Sequence, residues 1–319
     1  MSGLLFIGSN RIGDAVLSTG ALSYAMTLIG AKEVTIACGP LAAPLFRAVP
    51  GLKALHPIEK RRRDGHWFAL WSKLYAQRFD LAVDTRGTLL TYFVAAKRRF
   101  VHRKSEIRRH KVEEATELMA APQPLAPRIW LDDAARAAAE EIVAGSAPIL
   151  ALGPGSNFIG KRWPPERFAA VARRLVSAAG PLANARIVIL GGPEDRAIAE
   201  MIVSSLDADG VSAIDAAGKL DLLGGAALLA RSTLFIGNDS GLMHIAAAAG
   251  APTLGLFGPS DERQFGPWGA RTRTLRGRAY EELMAEGHFP TLTRSLMEDI
   301  TVDAAEAAAH DLLHAGGLL

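Results

Sequence analysis

Phe235-Ile236-Gly237-Asn238-Asp239-Ser240-Gly241-Leu242-Met243-His244-Ile245, followed by alanines up to Gly250, reads as an apolar strand that passes through a short polar turn straight into a helix. Such a junction aims unpaired backbone N–H groups and the positive end of a helix dipole at one point, where an anion such as a diphosphate can sit. His244 falls in the first turn of the helix, so its ring can face the same point. The segment reads as a phosphate-gripping corner on an α/β scaffold.

Working outward, strands and helices alternate on both sides of this corner. Leu4–Gly8 reads as a buried strand, Ser9–Gly13 as a turn, and Asp14 to about Ile29 as a helix. Strands follow at Glu33–Ala37 and Phe79–Asp84, with a short helix around 42–48 between them. Pro122, Pro124 and Pro127 interrupt the pattern, a helix follows over Asp132–Val143, and Ala144–Pro148 reads as a linker. The alternation then restarts: strand Ile149–Leu152, helix Glu166–Ala179, strand Arg186–Leu190, helix Glu194–Leu206, helix Asp221–Leu229, the corner itself, and strand Thr253–Phe257. Asp303 with Glu306 resembles a capping pair for a last helix that stops at Gly316-Gly317. The expected architecture is two doubly wound α/β domains, residues 1–146 and 147–319, with the last helix a candidate to pack back on the N-terminal one. Ligands of such sheets bind at the carboxyl ends of the strands, so the loops Gly8–Asp14, Gly153–Lys161, Gly191–Glu194, Gly237–Gly241 and Gly258–Asp261 are expected to converge on a cleft.

The 319 residues suffice for two such cores, and 49% hydrophobic with 22% charged residues is a globular composition. No apolar run is read as long enough to cross a bilayer, and Leu4–Ile7 is too short for a signal-peptide core, so the cytoplasm is the expected location. The lone Cys38 excludes an intrachain disulfide and a cysteine-rich metal cluster. Net charge is only +3, but basic residues crowd into Lys60–Arg63 and Lys97–Lys111, so a local acidic partner is implied. The second run reads as a solvated helix face, a loop, or a contact for an acidic substrate or membrane surface. Nucleic acid fits less well, because the run holds one aromatic, Phe100, and no nucleic-acid-binding module is present.

Several residues carry two readings at this level. Asp14 is either an acid that complements a helix dipole or a general base whose basicity the dipole limits. Lys161 ends the glycine-rich loop Gly153–Gly160 and is either solvated or a point charge for phosphate. The loop is no P-loop, since Arg162 stands where Ser or Thr would hold magnesium. Glu194 is a helix-start acid or a partner for ribose or sugar hydroxyls. Asp207-Ala208-Asp209 imitates a metal motif but reads as an exposed turn, and no zinc-type ligand spacing occurs.

Taken together, Ile12-Gly13-Asp14, Lys161-Arg162-Trp163-Pro164, Gly191-Gly192-Pro193-Glu194 and Asn238-Asp239-Ser240-Gly241-Leu242-Met243-His244 resemble glycosyltransferase family 9, the ADP-heptose:lipopolysaccharide heptosyltransferases and their relatives. The resemblance implies a GT-B fold of two Rossmann-like domains facing a cleft, acceptor on the first and nucleotide-sugar on the second. It implies an inverting transfer without a metal or other cofactor, to an acidic glycolipid at the inner-membrane surface. By motif, Asp14 would be the base. Ser156 and Lys161 would meet the donor phosphates, Glu194 the nucleoside or sugar, and Leu220 the adenine. Asp239 would hold donor sugar hydroxyls, and Ser240, Gly241 and His244 would grip the diphosphate. Arg61, Arg62, Arg98, Arg99, Arg103, Arg108 and Arg109 are the candidate acceptor contacts. Another nucleotide-sugar and surface glycan, a GT-B-fold nucleotide-sugar epimerase, and a non-catalytic binder remain as alternatives.

Overall fold

The computed structural model describes residues 2–60, 62, 65–103, 107–287 and 293–317. The chain divides into two compact units, Met1–Trp130 and Leu131–Leu319.

The first unit is built on a parallel sheet of β1 (Gly3–Ile7), β2 (Glu33–Cys38), β3 (Leu52–Pro57), β4 (Arg78–Asp84) and β5 (Ala95–Val101), in the order β3-β2-β1-β4-β5. Every residue of β1 is buried, which is why it reads as an unbroken apolar run rather than an alternating one. The chain leaves β1 through α1 (Ile12–Leu17) and α2 (Thr19–Ile29) to reach β2, and the strand order reverses between β1 and β4. Ile12–Ile29 does have the length and mean hydropathy, 1.3, of a membrane span, contrary to the sequence expectation. It nonetheless carries Asp14, breaks at Ser18, and buries Val16, Leu17, Ala21, Leu22 and Ala25 as the crossover of the sheet. On one sheet face α3 (Gly65–Leu74) packs Leu70 and Leu74 into a cluster with Leu5, Ile7, Phe79 and Leu90. The basic run beginning at Lys97 is neither a helix face nor a loop at its start but the edge strand β5, and α4 (Lys111–Leu118) begins where the run ends. His110 caps α4, its Nδ1 accepting from Val112 N at 3.2 Å.

The second unit opens with α5 (Asp133–Ile142), which packs on α8 (Leu222–Ala230). The second unit thus includes α5 and begins at Leu131. The sheet runs β11-β10-β9-β6-β7-β8, all neighbours parallel, with β6 (Ile149–Gly153), β7 (Arg186–Ile189), β8 (Ala213–Asp215), β9 (Leu234–Asn238), β10 (Thr253–Phe257) and β11 (Thr272–Arg276). Its reversal lies between β6 and β9, the place where open α/β sheets bind ligands. Helices α6 (Pro165–Val176), α7 (Arg196–Ala208) and α9 (Gly241–Ala249) follow β6, β7 and β9, and the short α10 (Glu262–Phe265) and α11 (Tyr280–Glu286) precede and follow β11. Trp163 and Phe168 meet edge to face at 4.9 Å in a core that also takes Ala305, Ala309, Leu312 and Leu313.

Those last four residues belong to α12 (Val302–Ala315), which packs on α6 and on β9–β11 of its own unit. Thr301 caps α12 by accepting from Ala304 N at 3.1 Å. Asp303 and Glu306, which read as a capping pair, instead both accept from Arg174 of α6, at 2.6 and 2.9 Å. Asp209 of the metal-like triplet pairs with Arg173 of the same helix.

Candidate active site

Four consecutive residues after β6 fix the glycine-rich loop. Lys161 closes a 3-10 turn over Ile159–Lys161 and sets its Nζ 2.6 Å from Asp239 Oδ2, in the turn after β9. Arg162 donates from Nε and Nη2 to the Ser156 carbonyl at 3.1 and 2.8 Å, curving the loop back on itself. Trp163 is buried, its indole donating to the Ile300 carbonyl at 2.9 Å, and Pro164 leads into α6. The loop is tied to the second strand by Asn238, fully buried at the end of β9. Its Oδ1 accepts from Trp163 N at 3.1 Å and its Nδ2 donates to the Pro154 carbonyl at 2.7 Å. Two loops on either side of the sheet's reversal are thereby held as one rigid corner.

At that corner Ser240 precedes α9 in extended conformation and makes no capping hydrogen bond with its side chain. The hydroxyl and the first N–H groups of α9 are therefore presented together. Asp239 and His244 are both buried beside them. Ser156 is buried in the loop, its Oγ donating to the Phe158 carbonyl at 3.1 Å. Glu194 is exposed in a 3-10 turn after β7, and Leu220 is half-buried after β8, just ahead of α8. Sheet order thus sets the candidates at the carboxyl ends of neighbouring strands: Asp239, Ser240, Gly241 and His244 after β9, Ser156 and Lys161 after β6, Glu194 after β7, Leu220 after β8.

One residue beside these escaped the sequence reading. Asp195, next to Glu194, is buried with Oδ2 accepting from Gly192 N at 3.0 Å. Its carboxylate fills the space where side chains on Gly155 and Gly191 would sit, so the two glycines let the β6 and β7 loops close around it. Burial pushes its carboxyl above the ordinary aspartate value, while the hydrogen bond from Gly192 N opposes the shift.

In the first unit Asp14 lines a cavity of about 380 Å³ with Ser9, Ser18, Thr85, Arg86, His102, Lys111 and Glu114. Burial pushes its carboxyl up from the ordinary 3.8, and the Glu114 charge acts in the same direction. The charges of Arg11 and Lys111 and a hydrogen bond from Ser9 oppose the shift. Desolvation therefore outweighs the two cations and the hydrogen bond. Lys111 and Glu114 pair at 2.8 Å. Across the cavity, Asp84 at the end of β4 is fully buried and accepts five hydrogen bonds: from Arg86 N, Gly87 N and Thr88 N, and from the hydroxyls of Thr88 and Thr91. This network holds the turn that carries Thr85 and Arg86. The Arg86 guanidinium lies 4.8 Å from the Trp67 ring centroid and donates to Asn10 Oδ1 at 3.0 Å. Burial pushes the Cys38 thiol up to about 12, which keeps it protonated.

The basic side chains that line the cavity with Asp14 are thus Arg86, His102 and Lys111, none of which the sequence singled out. Lys111 and His102 stood inside the second basic run, and Arg86 in the turn after a predicted strand. Of the expected acceptor contacts, Arg62, Arg98, Arg103 and Arg108 are exposed, and Arg61 lies outside the described residues. Arg109 pairs with Glu117 at 2.9 Å. Arg99 is engaged by its own backbone surroundings, donating to the carbonyls of Thr91, Ala96 and Val94 at 3.0, 2.8 and 2.7 Å. Among the described residues, no group of three or more His, Cys, Asp or Glu side chains is placed to hold a metal ion.

Two Rossmann-like units, with a polar corner at the reversal of the second sheet, define the GT-B fold. The chain belongs to glycosyltransferase family 9 (heptosyltransferase), whose family model matches residues 91–288. Lipopolysaccharide heptosyltransferase 2 of Salmonella typhimurium is 23% identical, the match covering 99% of each chain. The glycosyl transferase family 9 protein from Veillonella parvula superposes with a TM-score of 0.80 at 21% identity, over 98% of this chain and 97% of that one. The ADP-heptose lipopolysaccharide heptosyltransferase II of E. coli superposes with a TM-score of 0.75 at 20% identity, over 99% and 100% of the two chains.

Proposed function

We propose that this protein transfers a heptose, with inversion, from ADP-heptose to an acidic lipopolysaccharide inner-core acceptor, on the cytoplasmic side of the inner membrane. The observation that carries the reading is the succession of Leu220, Glu194, Ser156, Lys161 and the α9 N-terminus at the carboxyl ends of neighbouring strands. A base against Leu220, a ribose by Glu194 and a diphosphate at Lys161, Ser240, Gly241 and His244 match the order of parts in a nucleotide-sugar. We assign to Asp239, paired with Lys161 at 2.6 Å, the hydrogen bonds to donor sugar hydroxyls. The names of the relatives, lipopolysaccharide heptosyltransferase 2 and ADP-heptose lipopolysaccharide heptosyltransferase II, agree with this choice of donor and acceptor.

In the reaction the Asp14 carboxylate takes the proton of the acceptor hydroxyl, whose oxygen attacks the anomeric carbon as the bond to the diphosphate breaks. Attack opposite the leaving group inverts that carbon. Negative charge grows on the departing diphosphate, so Lys161 and the α9 N–H groups stabilise the transition state more than the ground state, without a call on a metal ion. The raised Asp14 carboxyl is a better proton acceptor than a solvated aspartate. Arg86, His102 and Lys111, with the exposed arginines 62, 98, 103 and 108, suit carboxylates or phosphates on the acceptor.

The test is a thermal-shift screen against ADP-, UDP- and GDP-sugars, followed by a transfer assay with the best donor. A ligand that binds only the folded state raises its melting temperature, by linkage. Stabilisation by the ADP-sugar above the others, with heptose transfer abolished in Asp14→Asn, is expected. Selective stabilisation by a UDP- or GDP-sugar would overturn the donor assignment.

A further inference from the structure

The outer face of α3 is aromatic where a solvated helix would be polar. Phe68, Trp71 and Tyr75 follow one another at helical spacing, with ring centroids 5.7 and 5.4 Å apart. Leu70 and Leu74, on the opposite side, are in the core. Trp71 Nε1 donates to the Phe93 carbonyl at 3.1 Å, which ties the helix to the turn after β4. On that turn the apolar surface continues. Phe68, Tyr75, Leu89, Tyr92 and Phe93 are 70, 61, 75, 55 and 69% exposed. Single exposed apolar residues are ordinary; a joined group of this size marks an interaction surface.

Charge selects the partner. The stretch Lys60–Arg78, which contains α3, holds six basic residues and one acid. Exposed Lys60 and Arg62 precede the helix, and exposed Lys73 and Arg78 lie at its far end. Tryptophan and tyrosine rings beside lysine and arginine are the chemistry of a bilayer headgroup layer with anionic lipids. The location is also suited to such a partner. Trp67, on the same helix, packs on Arg86, which lines the Asp14 cavity. A headgroup held in the bilayer under α3 would therefore be presented within about one helical turn of that cavity.

We propose that the outer face of α3, with the Leu89–Phe93 turn, is a membrane-docking surface that seats in the headgroup layer of an anionic bilayer. Its role in presenting substrate rests on the glycolipid-acceptor reading above; the surface itself rests on exposure and charge. The test is co-sedimentation of the full chain with vesicles of phosphatidylcholine alone or mixed with phosphatidylglycerol. Wild type should bind the mixed vesicles and release them in high salt. A Phe68→Ser/Tyr75→Ser/Phe93→Ser variant should bind at least about tenfold more weakly, since both apolar insertion and charge are needed. A Lys73→Glu/Arg78→Glu variant, which keeps the rings, should lose binding to the mixed vesicles as well. Melting temperature and ADP affinity should stay at wild-type values in both. Wild type that fails to bind mixed vesicles overturns the proposal, as does either variant binding unchanged. So does a wild-type dimer that the serine variant dissolves, since the face would then be a self-interface. Transfer to a water-soluble, delipidated acceptor should survive in the serine variant while transfer to a vesicle-embedded one falls. If the acceptor assignment alone is wrong, wild type uses neither acceptor yet still binds the vesicles, which continues to support the docking surface.

Discussion

Lys161 Nζ lies 2.6 Å from Asp239 Oδ2, joining the loop after β6 to the turn after β9 across the reversal of the second sheet. Asp239 is buried and Lys161 is three-quarters covered, so the pair is screened less than a surface ion pair. Lys161→Met leaves a buried carboxylate without its cation and should cost about 1–3 kcal/mol of stability. It should also weaken ADP by tenfold or more. Asp239→Ala should spare ADP affinity better than it spares binding of the intact nucleotide-sugar. Calorimetry with both ligands, beside thermal melts, checks both statements.

Asp14→Asn keeps the shape of the side chain and removes the proposed base. A fall in kcat of about 10²–10⁴-fold is expected, with ADP affinity unchanged. Full activity in this variant would remove Asp14 from the reaction.

The pH dependence has a worked sign. Asp14 must be ionised to accept a proton, and its carboxyl is raised above 3.8, so kcat/KM should climb with pH through a midpoint above that value. The Glu114 charge pushes the carboxyl up and the Lys111 charge pulls it down. Glu114→Gln should therefore move the acid limb to lower pH, and Lys111→Met to higher pH. By linkage, the folded chain binds Asp14's proton more tightly than the unfolded chain, so this group's contribution to stability declines as pH rises through that window. Rate profiles of the three proteins decide the matter; shifts of the same sign would contradict the electrostatic account.

On the proposed reading, Asp84 acts as a positioning residue for the acceptor side. Asp84→Asn puts an amide nitrogen among five donors, and about 2–4 kcal/mol of stability should be lost with them. Because the turn carrying Arg86 loosens, acceptor KM should rise while donor KM stays fixed. A fall in kcat alone, at unchanged acceptor KM, would point away from positioning.

Gly155→Ala should disturb the donor loop by steric collision with the Asp195 carboxylate, raising donor KM about tenfold. Adding Asp195→Ala should recover part of that loss, because the two changes share one contact. Strict additivity in the double variant would place the damage elsewhere.

The strands most visible in the sequence are those buried on both faces. β1, β6 and β9 are buried throughout, and their apolar runs stand out. The strands at or near sheet edges do not: β3 is largely half-exposed, β8 has three residues, and β11 reads Thr-Arg-Thr-Leu-Arg. β5 was hidden in the same way by its own cations. The Asp239–His244 corner was legible because its chemistry lies in adjacent residues. Asn238, Asp195 and Asp84 were not, since each acts through partners that only folding brings near, or through backbone groups with no sequence signature.

The edge strand β5 exposes Lys97, Arg98 and Arg99 in succession, and Arg99 clamps the neighbouring turn by its carbonyls. An open strand is a template on which another chain can pair, and a line of like charges repels any copy of itself. That protection is Coulombic and so depends on ionic strength. Concentrated salt, or neutralising substitutions along β5, should promote clumping of otherwise folded molecules. Handling of this protein is therefore governed by the same cations that recommend themselves for substrate capture.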